Sequence, residues 1–159
     1  MAESLTVRSE LFADGDTIPL SAAHSMVGGG NVSPDLSWDA GPAGTESYAV
    51  TCWDPDAPTT VGFSHWLVFD VPATVTALNA GSSGQGVTGF SDWGESRYGG
   101  MAPPAGDSPH RYHFTVYALD TASLEVDETT TYAKFRFLIR GHVLAEGVLT
   151  GLFAVAGGS

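Results

Sequence analysis

His110-Arg111-Tyr112-His113-Phe114-Thr115-Val116-Tyr117-Ala118-Leu119-Asp120 alternates with a period of two. Successive side chains of an extended strand point to opposite faces. His110, Tyr112, Phe114, Val116 and Ala118 therefore share one face, and Arg111, His113, Thr115, Tyr117 and Leu119 the other. The first row is the more apolar and is expected to face a core, with His110 and Tyr112 at its mouth. Two other stretches behave alike. In residues 47–54 the row Tyr48, Val50, Cys52 closes on Asp54, just before Pro55. In residues 65–71 the row Leu67, Phe69, Val71 opens on His65, and Pro72 ends the run. Shorter strands are expected at residues 5–9 and 36–38, and a last one at 143–155, interrupted by Gly147 and Gly151. With 20 Gly and 9 Pro falling between apolar runs, the pattern is that of a mostly β chain.

Beyond the strands the chain offers one helix and one long loop. Tyr132, Phe135 and Ile139 recur at helical spacing with Gly141 placed to cap the C-terminal end. Lys134, Arg136 and Arg140 read as a solvated helix face rather than a basic recognition patch. Residues 79–106 form a Gly-rich stretch with Phe90, Trp93 and Tyr98 embedded, the mark of a packed, functional loop. Residues 156–159 are read as a frayed tail. The 159 residues show no repeat and no linker, so one domain over 1–159 is expected.

Composition narrows the function classes. Hydrophobic residues make up 43% and charged residues 15%, which excludes intrinsic disorder. Eighteen carboxylates against six Lys and Arg give a net charge of -12, which disfavours nucleic acid and anionic membrane surfaces as partners. The single Cys52 lies in an apolar run and reads as a small core residue. No integral membrane segment and no basic, apolar leader are seen, so a cytoplasmic location is expected and the Asn31-Val32-Ser33 sequon carries no glycosylation meaning.

Taken singly, a histidine at a strand end and an aspartate before proline are ordinary structural residues. Three titratable groups, each at the end of a buried row, have instead the composition of a small-molecule pocket: apolar walls and a few placed polar groups. The chain has no Gly-x-Ser-x-Gly elbow, P-loop or zinc helix. Asp54, Asp56, His65, His110 and His113 match no standard metal spacing, so no metal and no cofactor are expected. Ser64 and His65 are strand neighbours and point apart, so they are not a catalytic pair.

Several motifs stand in a fixed order. They are Gly30-Asn31-Val32-Ser33-Pro34 with Leu36-Ser37-Trp38, Asp54-Pro55-Asp56-Ala57-Pro58, Ser64-His65-Trp66, Pro103-Pro104 with Gly106, and His110-Arg111-Tyr112 with Tyr117-Ala118-Leu119-Asp120. Over residues 5–153 the chain resembles the phosphatidylethanolamine-binding protein (PEBP) family, above all its bacterial, Raf-kinase-inhibitor-like branch. The resemblance implies a two-sheet antiparallel β-sandwich with one or two short helices, and a small anion pocket near the strand ends. By matching position, Asp54, Ala57, Pro58, His65, Pro104, His110 and Tyr112 would form that pocket, with no catalytic residue among them. Its ligand would be phosphate or a phosphoryl headgroup such as that of phosphatidylethanolamine, and its partner class a kinase or other protein. The Ala57-Pro58 bond is expected to be cis, on the resemblance and because tight Pro-flanked loops are where cis bonds occur. Residues 91–97 look like an insertion that alters the pocket rim. The closing helix of eukaryotic relatives has no counterpart after Phe153, so a more open site is expected.

Alternation turns Arg111 away from such a pocket. Anion binding would then rest on His65, His110, the Tyr112 hydroxyl and backbone N–H groups, with Asp54 orienting a histidine or accepting a hydrogen bond from a protonated phosphate or an ethanolamine ammonium. Two other functions remain open: a small hydrolase with Asp54 and His65 as an acid–base pair, or an inhibitor of proteases or kinases acting through its surface. Trp66 and Trp93, read as exposed, would permit a homodimer.

Overall fold

The alternating row at residues 110–119 lies at the centre of a large sheet. In the computed structural model, which describes residues 3–157, the strands are β1 (Glu3–Ser4), β2 (Val7–Arg8), β3 (Leu36–Trp38), β4 (Ser47–Asp54), β5 (Phe63–Pro72), β6 (Ala77–Leu78), β7 (Val87–Thr88), β8 (His110–Leu119) and β9 (Val143–Phe153). One helix, α1 (Tyr132–Leu138), precedes β9, and short 3-10 turns occupy Leu20–Ala22 and Ser25–Val27. The large sheet runs β1-β9-β8-β4-β5-β7 and the small one β2-β3-β6. Residues 158–159 of the expected frayed tail lie outside the described residues.

The main core lies between the two sheets. Val7, Leu36, Trp38 and Leu78 of the small sheet pack in one cluster with Tyr48, Val50, Cys52, Trp66, Val68, Tyr112, Phe114 and Val116 of the large one. A second cluster covers the opposite face of the large sheet, where Leu67, Phe69, Tyr117 and Leu119 meet Phe135 and Ile139 from α1 and its C-cap. The two rows read in residues 110–119 thus separate into the two clusters. Thr131 caps α1, its side chain accepting from the Lys134 N–H, and Gly141 follows with φ +84°. Cys52 is fully buried, and burial, then the Asp54 charge, push its thiol well above the ordinary range.

Several expectations need correction. The sheets are not wholly antiparallel, because β1 pairs parallel to β9. The strand expected at residues 5–9 shortens to β2, which joins the small sheet, while a separate β1 just before it joins the large one. The chain crosses between them at Leu5, which is buried and whose N–H donates to the Glu146 carbonyl at 2.9 Å. Gly147 and Gly151 do not interrupt β9. They make room for it, since a Cβ would stand 2.0 Å from the Leu5 oxygen at the first and 2.3 Å from Ile18 at the second. Trp66 is not exposed but fully buried, so it offers nothing to a dimer surface.

The sharpest correction concerns β5. Leu67 and Phe69 belong to the second cluster, whereas Trp66, Val68 and Val71 belong to the main core. The register of β4 on β5 explains this. It steps from Cys52↔Trp66 to Trp53↔Ser64, and from Tyr48↔Val71 to Val50↔Val68. Each step leaves an extra residue in β5, a bulge that turns side chains to the other face. His65 is the extra residue of the first bulge.

Phe114 is fully buried in the main core, so Phe114→Ala should cost about 3–5 kcal/mol of unfolding free energy in urea titration. Phe137, 73% exposed on α1, should tolerate alanine within about 0.5 kcal/mol.

Candidate functional site

The antiparallel pairing of β4 and β8 brings the end of one strand beside the start of the other, so Asp54 and His110 meet. His110 Nδ1 donates to Asp54 Oδ2 at 2.8 Å, both side chains being buried. Asp54 Oδ1 accepts from the Asp56 N–H at 2.7 Å, which folds the Asp54-Pro55-Asp56 turn over the strand end. Asp56 in turn grips Arg111: its carboxylate accepts from the Arg111 N–H at 2.9 Å, Nε at 3.0 Å and Nη2 at 2.9 Å. The Arg111 hydrogen bonds hold the Asp56 carboxyl down to about 2. The Asp-x-Asp and His-Arg motifs therefore interlock, Asp54 with His110 inside and Asp56 with Arg111 outside. As alternation required, Arg111 is turned away from the pocket.

The β5 bulge aims His65 at the same place. Its ring meets Tyr112 edge-on at 5.3 Å and Phe63 at 4.9 Å between centroids. Nδ1 lies 2.8 Å from the Gly99 carbonyl oxygen and 3.1 Å from that of Gly100. A carbonyl only accepts, so Nδ1 carries the proton and Nε2 is left for a ligand. Burial lowers the His65 pKa below the ordinary histidine value, against the opposing pull of the two carbonyls and of Asp54 and Asp92. The imidazole is thus neutral at neutral pH, with Nε2 an acceptor.

Gly99 and Gly100 approach so closely because they lack a side chain. A Cβ on Gly99 would meet the Trp93 ring at 2.1 Å, and one on Gly100 the Ala22 carbonyl oxygen at 2.3 Å. Asn31 Oδ1 fixes this segment by accepting from the Gly100 N–H at 2.7 Å, which gives the sequon asparagine a structural task.

Asp54, Ala57, Pro58, His65, Pro104, His110 and Tyr112 all line one cavity of about 210 Å³. That is below the roughly 300 Å³ where pockets for drug-sized ligands begin, and leaves room for a small group only. Sequence reasoning missed Thr59, Phe63, Ala102 and Pro103 as lining residues. Trp93 also lines the cavity, its ring tilted against His24 with centroids 4.3 Å apart, so the 91–97 stretch supplies a wall and not merely a rim. An aromatic embedded in a polar, Gly-rich loop was the signal for it. The Ala57-Pro58 bond is trans, correcting the cis expectation. Trans is the lower-energy X-Pro isomer, and the reversal is made instead by a tight turn about Pro58, in which the Thr59 N–H donates to the Ala57 carbonyl at 2.7 Å.

The polar floor carries few free charges. Burial pulls the His110 imidazolium down, but the hydrogen bonds and charges of Asp54 and Asp107 outweigh it and the net shift is upward. Burial, then the Asp54 charge, push the Tyr112 phenol far above its ordinary range, so the hydroxyl stays a donor. The pairing of Asp54 with His65 expected for a hydrolase is not made, since Asp54 bonds His110 and His65 bonds backbone. Among the described residues no cluster of three or more His, Cys, Asp or Glu is arranged to hold a metal, and no helix is long and apolar enough to cross a membrane.

Comparison with known proteins agrees with this architecture. Residues 8–154 match the family model described as phosphatidylethanolamine-binding protein. The chain belongs to the PEBP family. A similar relative is the UPF0098 protein YbhB of Escherichia coli K12, 42% identical over 89% of this chain and 94% of its own length. The crystal structure of E. coli YbcL, described as a new member of the mammalian PEBP family, superposes with a TM-score of 0.90 at 37% identity, covering 96% of this chain and 99% of that one. A PEBP homologue from Chlamydia trachomatis gives 0.84 at 29%, covering 96% and 98%.

The two pocket histidines should titrate in opposite directions from the ordinary value of about 6.5. Nuclear magnetic resonance of labelled imidazoles should find the His110 midpoint above it, the His65 midpoint below it, and the neutral His65 proton on Nδ1. Because the folded-state value of His110 is raised, its contribution to stability is fully present below the unfolded value and fades as pH rises through the folded one. The stability deficit of His110→Asn should accordingly be largest below about pH 6.5 and shrink above it.

Proposed function

We propose that the cavity binds a phosphoryl group, as phosphate or as a headgroup of the phosphatidylethanolamine type, and that the protein is a binding module rather than a catalyst. The observation that carries this reading is the polar floor of an otherwise apolar, headgroup-sized cavity: His65 Nε2, the Tyr112 hydroxyl and the Asp54–His110 pair. A protonated phosphoryl oxygen donates to His65 Nε2. An unprotonated one draws a proton onto Nε2, since an adjacent anion favours the imidazolium. In both cases a single proton is shared between ligand and imidazole, and Tyr112 donates to a second oxygen. An ammonium, as in an ethanolamine headgroup, finds the Asp54 carboxylate.

A binding role is favoured by the absence of a nucleophile–base pair from the lining. The lining contains neither serine nor cysteine, the Thr59 hydroxyl donates to the Gly62 carbonyl, and His65 Nδ1 faces carbonyls where a triad would place a carboxylate.

Calorimetry with sulfate, whose charge is fixed, tests the reading without interference from the phosphate ionisation near pH 6. Affinity should weaken as pH rises through the histidine range. His65→Ala should weaken binding roughly ten- to a hundredfold, the worth of one charge-assisted hydrogen bond, and Arg111→Ala far less. Inorganic phosphate and glycerophosphoethanolamine, titrated side by side, distinguish free phosphate from a lipid headgroup by which binds more tightly. Sulfate binding that ignores pH and depends on Arg111 would overturn the assignment, as would turnover of phosphoesters or acyl esters that is lost in His65→Ala.

A further inference from the structure

His110 is held from both sides. Its Nδ1 bonds the buried Asp54, and its Nε2 lies 3.0 Å from Oδ2 of Asp107, which stands 42% exposed in the loop just before β8. Two carboxylate partners require both ring nitrogens to be protonated, so His110 is an imidazolium with no N–H left to offer. The other nearby cation is likewise spent, because Arg111 is gripped by Asp56. The groups that face His110 are Asp54 from β4, Asp107 from the preceding loop, and Tyr112, whose ring stacks at 6.4 Å; Asp56 and Arg111 stand beside it as a neutralised pair. The Asp54–His110–Asp107 row therefore carries one negative charge in excess: Asp54 and His110 line the cavity, whose remaining histidine is neutral, and Asp107 stands behind His110, outside the lining.

A phosphoryl ligand in the cavity feels this excess charge across the His110 ring. A singly charged group needs only the proton on the His65 line to balance it. A dianion brings a second negative charge that nothing in the floor neutralises, and in a partly buried site such repulsion is weakly screened. Resting on the phosphoryl-binding reading, we propose that Asp107 is the specificity-determining residue of this cavity. As the second carboxylate on His110, it selects singly charged phosphoryl groups, such as phosphodiesters, against dianions.

The test uses wild type, Asp107→Asn and Asp107→Ala, with two probes of fixed charge: methyl sulfate, a monoanion, and sulfate, a dianion. Calorimetry at about pH 6 and low salt should find wild type favouring methyl sulfate. Asp107→Asn should tighten methyl sulfate about threefold and sulfate about tenfold, so that the ratio moves about threefold toward the dianion. Asp107→Ala should move it the same way. In the ligand-free protein, the His110 midpoint should fall by about half a pH unit or more in Asp107→Asn, because one of its two charged partners is gone. The inference alone is overturned if both anions bind with an unchanged or reversed ratio, or if the His110 midpoint does not move. Binding of neither anion by any of the three proteins overturns the phosphoryl reading, and this inference with it. Glycerophosphoethanolamine and methyl phosphate, run on the same three proteins, show whether the preference extends to a lipid headgroup over a free phosphomonoester.

Discussion

The unbroken pairing of β4 with β8 is the constraint on which the rest depends. From Ser47↔Leu119 to Trp53↔His113 the register runs without a step, and β8 is paired along its other edge with β9. One face of this central pair is buried under the small sheet, and the other, from Thr115 to Leu119, under α1. A one-residue slip would therefore bury the wrong row on both sides at once. The same fixed register delivers Asp54 to His110 at one end of the sheet, so the most polar contact of the site is set by the best-determined pairing in the fold.

The site gathers its charges and then neutralises most of them internally. Each cation near the cavity has an aspartate partner, His110 with Asp54 and Asp107, Arg111 with Asp56. The free valences left to a ligand are a neutral imidazole nitrogen and a phenol. Such a floor discriminates by proton and charge rather than by raw attraction, unlike an anion site built from lysine and arginine. That suits a chain of net charge -12, whose overall field repels anions and leaves short-range contacts to do the selecting.

Much of this was legible in the sequence because it is local. Period-two alternation placed Asp54, His110 and Tyr112 on the core-facing rows of their strands, and turned Arg111 outward. Helical spacing found α1, and apolar context found the buried Cys52. The row that opens on His65 named the right residue by a wrong path. Its companions Leu67 and Phe69 face the other cluster, and a bulge rather than alternation brings His65 to the cavity. Strands of two residues, such as β6 and β7, are too short to show a period at all.

What the sequence by itself determined is which side chains share a strand face and where the runs end, since both follow from backbone geometry over a few residues. What only the tertiary structure decided is everything set by approach across long sequence separations. The proton position on His65 depends on the Gly99 and Gly100 carbonyls, 34 and 35 residues away. The Trp93 wall depends on how residues 79–106, which the structure divides by β7, fold back over β5, where the Gly99 N–H donates to the His65 carbonyl. The second carboxylate on His110 comes from a residue only three positions away. Even so it was invisible, because whether a loop aspartate turns toward the histidine or toward solvent is a matter of loop conformation, which no strand period encodes.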